Sequence, residues 1–170
     1  MEAGKLTVEM QEVSVRALLA QIRTEMQEWR EQAGVEVEWE VGDGLPMLRT
    51  DGQKLKVVLS NLHSYVVKFT KAGRITVTVR TEQDGVAFRV TDTGIGIPPE
   101  SLTLIFEPFR QVENADTRAY SGSGLGLFIV QRLLALLGGR IAVESEVERG
   151  STFHVWLPVG CGTPPGCPPR

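Results

Sequence analysis

The sequence predicts an α/β fold, a two-layer sandwich in which a mixed, mainly antiparallel sheet carries helices on one face. Three observations predict it. Two long stretches place apolar residues at helical spacing; two strongly alternating stretches meet at Gln83-Asp84-Gly85; and a third helical stretch is followed by two more alternating ones.

In chain order, residues 6–10 read as a short strand, and Val15, Leu18, Leu19, Ile22, Met26 and Trp29 then recur as one face of a helix that ends near Gly34. Val35, Val37 and Trp39 alternate with glutamates, as in a half-buried strand. Gly42-Asp43-Gly44 and Pro46 mark a turn before a short strand at Met47–Arg49. Asp51 is placed to cap a second helix, whose stripe is Leu55, Val58, Leu59, Leu62, Val66 and Phe69. Past Gly73, Ile75–Val79 and Val86–Val90 form the hairpin. Pro98-Pro99-Glu100-Ser101 opens a short helix, the Gly122–Gly126 run leads into another through Leu137, and Gly138-Gly139 stops it. Strands near 141–145 and 152–157 close a domain expected to span residues 1–158, leaving 159–170 as a Pro/Gly-rich tail.

At 170 residues and 42% hydrophobic content, the chain suffices for one domain with a real core. A net charge of −3, with 18 Lys and Arg spread along the chain, argues against nucleic acid as a partner. No apolar run nears the roughly 20 residues that cross a bilayer, and no signal-peptide core follows Met1. The expectation is a cytoplasmic domain without membrane contact. Cys161 and Cys167 stand in the tail without His partners, which reads as reduced thiols rather than a metal site.

The chemistry concentrates between residues 92 and 127. Asp92-Thr93-Gly94-Ile95-Gly96-Ile97 follows a strand, so a carboxylate that only accepts hydrogen bonds stands at its exit. Such an acceptor suits an adenine exocyclic amine. Gly122-Ser123-Gly124-Leu125-Gly126-Leu127 opens a helix, where free N–H groups and the helix dipole favour phosphate. Alone, the first run is compatible with a plain turn and the second with tight packing. Together, with a lid-length segment between them, they point to a nucleotide.

Asp51-x-x-x-Leu55-x-x-x-Leu59-x-Asn61-Leu62, Lys68-Phe69-Thr70, the two glycine runs, Phe106-Glu107-Pro108-Phe109-x-Gln111, Thr117-Arg118 and Gly150-Ser151-Thr152-Phe153 together resemble the ATP-binding catalytic domain of a sensor histidine kinase, over residues 6–158. That resemblance implies the Bergerat fold, with ATP and Mg²⁺ as cofactors. Asp92 would bind the adenine amine, with Gly94, Gly96 and Ile97 shaping that side. Phe106 and Phe109 would anchor a lid, and Arg118 and Gln111 would reach the phosphates or the metal. Gly122, Ser123, Gly124, Leu125, Gly126 and Leu127 would cradle phosphates, Lys68 would add positive charge, and Thr152 would complete the cofactor site. Asn61 would serve both catalysis and the metal. Bland roles remain open for Phe106 and Phe109 as core aromatics and for Arg118 as a surface charge. The partners implied are ATP, a histidine-bearing dimerisation domain and a response regulator.

Two departures matter. In the family pattern a second asparagine, four residues after the first, supplies an oxygen to Mg²⁺; here that position is Tyr65, followed by Val66. A phenol on a rigid ring is a poor substitute whose bulk has two readings: it intrudes on or shields the phosphate region, or it tilts away and the triphosphate recruits Mg²⁺ through waters and Asn61. Secondly, His63 and His154 are the only histidines, and neither lies in a phospho-acceptor context. The chain is therefore expected to be an excised or stand-alone catalytic domain that transfers the γ-phosphoryl group of ATP to a histidine elsewhere. The alternative is a degenerate, pseudokinase module with impaired Mg-ATP use, serving as a regulatory interaction domain.

Overall fold

A computed structural model describes residues 7–70, 73–108 and 126–160, and only the backbone of 28–33. Its first strand, β1 (Gln11–Val13), lies later than the 6–10 expected from alternation. The cause is tertiary: β1 pairs with β3 (Leu48–Thr50), Gln11 opposite Thr50 and Val13 opposite Leu48, in a two-stranded ribbon outside the main sheet. Ser14 then begins helix α1 (Val15–Ala33) by accepting a hydrogen bond from the Ala17 amide.

The main sheet has the order β2-β4-β5-β7-β6, from β2 (Glu36–Val41), β4 (Arg74–Glu82), β5 (Gly85–Asp92), β6 (Arg140–Glu146) and β7 (Gly150–Pro158). Only β2 against β4 is parallel, because helix α2 (Gly52–Lys68) makes the crossover between them. The other ladders are antiparallel. The hairpin between β4 and β5 is tighter than a three-residue turn: Gln83 and Asp84 form it alone, at φ +46° and +56°.

Strand alternation sends Ile75, Val77, Val79, Phe88, Val90, Phe153, Val155 and Leu157 to one face, where all are buried. That face meets the stripes of α1 (Val15, Leu18, Ile22), α2 (Leu55, Val58, Leu62, Val66) and α3 (Gly126–Leu136; Leu127, Val130, Leu134). Each fully buried aliphatic side chain contributes about 1.5–3 kcal/mol over exposure, so these stripes hold the two layers together. The opposite face is polar and includes His154, whose Nε2 lies 3.5 Å from a Glu144 oxygen. His63, by contrast, is buried within the α2 stripe, and burial lowers its pKa to about 4, so it is a neutral imidazole. The segment 161–170, with both cysteines, lies outside the described residues, as does the Trp29 side chain.

Candidate active site

The site forms where β5 ends beside the C-terminus of α2 and the β6–β7 turn. Beyond Asp92 the chain is tied down on three sides. The Thr93 amide donates to Arg74 O, the Ile95 amide to Phe69 O at the end of α2, and the Glu148 amide to Ile95 O at 2.7 Å. The Ile97 amide donates to Ser145 Oγ, also at 2.7 Å. This close weaving explains the glycines. A Cβ on Gly94 would collide with the Phe69 carbonyl, and one on Gly96, which sits at φ +73°, would collide with the Glu146 carbonyl.

Asp92 itself is 4% exposed. Burial raises its carboxyl to about 6, opposed by hydrogen bonds from the Gly94 amide, the Ser151 backbone and the Thr70 hydroxyl, which favour the charged form. The Gly94 bond measures 2.8 Å and is made to Oδ1. The Thr70 hydroxyl also donates to Val66 O at 2.8 Å, so its single proton is shared between the helix end and the carboxylate. The result is a buried acceptor held in place by its own backbone.

On α2, the Asn61 side chain donates from Nδ2 to Val57 O at 2.8 Å. This fixes Oδ1 towards the start of α3, where a Cβ on Gly126 would stand 3.5 Å from it. Leu127 is buried behind Gly126, and Lys68 is exposed in the last turn of α2. Ile97 is buried, and Phe106 packs half-buried against the core. Phe109, Gln111, Arg118, Gly122, Ser123, Gly124 and Leu125 lie outside the described residues.

Two positions differ from expectation. Thr152 points to the polar face of the sheet, where its hydroxyl lies 3.2 Å from that of Thr91; Ser151, its neighbour, is the residue opposite Asp92. Parity carries the signal, since Phe153, Val155 and Leu157 all face inwards and therefore so does Ser151. Ser151 Oγ lies 2.7 Å from Ser145 Oγ, completing a hydroxyl pair that sequence reasoning missed.

Tyr65 packs inwards from α2. Its ring turns into the core, 4.6 Å from the Phe69 ring and edge-on to Phe153 at 5.7 Å. The hydroxyl is buried without a hydrogen-bond partner among the described residues. Burial, reinforced by the nearby Asp92 charge, pushes the phenol's pKa well above its ordinary value. The physical reason is that the ring gains more from two aromatic neighbours than its hydroxyl loses.

The donor set suits Mg²⁺ through one protein oxygen, Asn61 Oδ1, with the remainder supplied by phosphates and water, as is usual for this cation. Tyr65, committed to the core, is not part of that set. Among the described residues no group of three His, Cys, Asp or Glu is arranged to hold a metal. No helix among them is long and apolar enough to cross a membrane.

The sheet order β2-β4-β5-β7-β6 with helices on one face, and a buried aspartate at a strand exit, narrow the class of protein. Residues 50–160 match the family described as "Histidine kinase-, DNA gyrase B-, and HSP90-like ATPase", and the chain belongs to it. Within that family its relatives are sensor kinases. It is 44% identical, over 74% of its length, to the autoinducer 2 sensor kinase/phosphatase LuxQ of Vibrio vulnificus, of which it spans 16%. It is 36% identical, over 92% of its length, to the circadian input-output histidine kinase CikA of Synechococcus elongatus, of which it spans 21%. The solved structure of full-length ShkA in complex with AMPPNP superposes with a TM-score of 0.80 at 34% identity, covering 92% of this chain and 32% of that one. The chain is thus an ATP-binding catalytic domain of the histidine-kinase type. The degenerate alternative finds no support among these relatives.

Proposed function

We propose that this domain binds Mg-ATP against Asp92 and presents the γ-phosphoryl group to a histidine on a dimerisation domain of a full-length sensor kinase, from which it passes to a response regulator. The observation that carries the reading is Asp92: a buried carboxylate, braced by Gly94 and Ser151, at the exit of a strand. It accepts the adenine amine, and Gly94, Gly96 and Ile97 hold the loop against the base. Ser151 and Thr70 orient the carboxylate, a role the geometry favours over one for Thr152. Asn61 offers Oδ1 to Mg²⁺, which when bound neutralises phosphate charge. Lys68 and Arg118 add positive charge, and Gln111 assists at the metal. The start of α3, at Gly126 and Leu127, together with Gly122, Ser123, Gly124 and Leu125, directs amide groups to the phosphates, while Phe109 secures the segment above them. Phosphoryl transfer needs little beyond this positioning and neutralisation.

The test is calorimetric titration with AMPPNP, with and without Mg²⁺, on the parent, Asp92→Asn and Asn61→Ala. The expected result is magnesium-assisted binding in the parent. Asp92→Asn should lose it outright, and Asn61→Ala should lose the magnesium dependence. A parent that binds no nucleotide at any magnesium concentration would overturn the reading.

A further inference from the structure

The inward face of the sheet carries one polar line. Strand register sets Ser145 of β6 opposite Ser151 of β7, and Ser151 opposite Asp92 of β5, so the three residues stand in one row across adjacent strands. The other inward residues of β6 are Ile141 and Val143, set against Val155 and Phe153. An aliphatic residue at 145 would continue that packing. The chain has a hydroxyl there instead.

That hydroxyl is fully used. Ser145 Oγ accepts from the Ile97 amide at 2.7 Å, donates to Gly150 O at 3.0 Å and lies 2.7 Å from Ser151 Oγ. With one proton and two lone pairs, it satisfies all three contacts together only when Ser151 donates to it. One side chain thus ties together the 94–97 loop, the β6–β7 turn and the residue facing Asp92. The Glu148 amide also links turn to loop, through Ile95 O, but that bond is backbone to backbone and depends on no side chain. Ile97 is 4% exposed, so its amide would find little water in place of Oγ. Removing the Ser145 hydroxyl therefore frees two groups at once: the Ile97 amide, at the end of the loop, and the Ser151 proton, on the residue opposite the carboxylate.

We propose that Ser145 is a positioning residue for nucleotide recognition, acting through Ile97 and Ser151 rather than by contact with the nucleotide. It fixes the loop on one side of Asp92 and the strand on the other, so that the carboxylate is held towards the amine of the base. The inference rests on the reading of Asp92 as the acceptor of the adenine amine.

The test compares AMPPNP with its analogue lacking the 6-amino group, purine riboside imidotriphosphate, each titrated calorimetrically with Mg²⁺ into the whole chain. The parent should prefer AMPPNP about ten-fold, because without the amine the buried carboxylate is left unpaired. Ser145→Ala should narrow that preference to about two-fold. A serine that only supported the fold would lower the Tm and weaken both ligands alike, so the ratio is the readout. Ser145→Thr, which keeps Oγ in a strand that favours β-branched residues, should restore the parent's preference. Ser145→Cys, close in shape but a weak acceptor, should behave as the alanine variant does and supplies the same comparison if Ser145→Ala does not fold. A preference that persists in the folded alanine or cysteine variant, or that is lost in Ser145→Thr as fully as in Ser145→Ala, would overturn the proposal and leave the Asp92 reading in place. A parent that binds both ligands equally would overturn that reading, and this proposal with it.

Discussion

At the scale of single residues, Tyr65 and Asp92 have opposite balances between stability and use. The Tyr65 hydroxyl is buried without a partner among the described residues, which leaves a desolvation cost unrecovered. Tyr65→Phe should therefore stabilise the domain by about 1 kcal/mol in urea denaturation, with nucleotide affinity unchanged. Tyr65→Asn, the substitution that restores the family pattern, removes a ring packed on Phe69 and Phe153 and should cost about 3 kcal/mol. Any gain in magnesium binding by that variant has to be read against its lower stability. For Asp92 the folded pKa is raised from 3.8 to about 6, so the folded state holds the proton more tightly than the unfolded chain. Its contribution is therefore most favourable below pH 3.8 and is lost as pH rises through about 6. Asp92→Asn should stabilise the nucleotide-free domain by about 1–3 kcal/mol above pH 7, and should change nothing near pH 3. In the parent, AMPPNP affinity should fall as pH drops through about 6, because the protonated acid no longer offers the same acceptor. Calorimetry across pH 5–8 checks this, and a flat profile would contradict it.

At the scale of elements, α2 carries most of the site and depends on its start. Asp51 accepts hydrogen bonds from the Lys54 amide at 3.2 Å and the Glu9 amide at 3.0 Å, and pairs with Lys54 Nζ at 2.8 Å. Burial alone would raise its pKa, but the bonds from Lys54 and Glu9 together outweigh that and lower it. Asp51→Ala should cost about 2 kcal/mol at pH 7, and the difference from the parent should shrink as pH falls from 3.8 through the lower pKa of the folded parent's carboxyl. Thermal melts at pH 7 and pH 3 measure it. The β4–β5 turn offers the reverse case. Asp84 adopts φ +56° without being glycine, so Asp84→Gly relieves strain in a two-residue hairpin and should stabilise it by a few tenths of a kcal/mol. A destabilised Asp84→Gly would mean that the unfolded chain's added entropy outweighs the relief.

At the scale of the whole molecule, a nucleotide on Asp92 would bridge β5, α2 and α3, three elements that otherwise meet mainly through apolar packing. Binding only to the folded state, AMPPNP at about 100 times its Kd should add ~2.7 kcal/mol, raising the Tm by roughly 5–10 °C. Asp92→Asn should lose that ligand-dependent rise, although its ligand-free Tm is higher.

The sequence by itself determined the layers, the order of the elements and the placing of Asp92 at a strand exit. Apolar spacing reports directly which faces are buried, and Asp92 with its glycines is a local pattern. Only the tertiary structure decided the rest. Whether β1 forms at 6–10 or 11–13 depended on which segment found Leu48–Thr50 as a partner. Thr152 and Ser151 are adjacent in sequence; alternation puts them on opposite faces, but only strand register sets Ser151 opposite Asp92. Tyr65 reads as a defective metal ligand beside its neighbours in sequence, yet Phe69 and Phe153 draw its ring into the core. A residue's chemistry is written in the chain, but the side it faces is settled by packing between segments far apart in it.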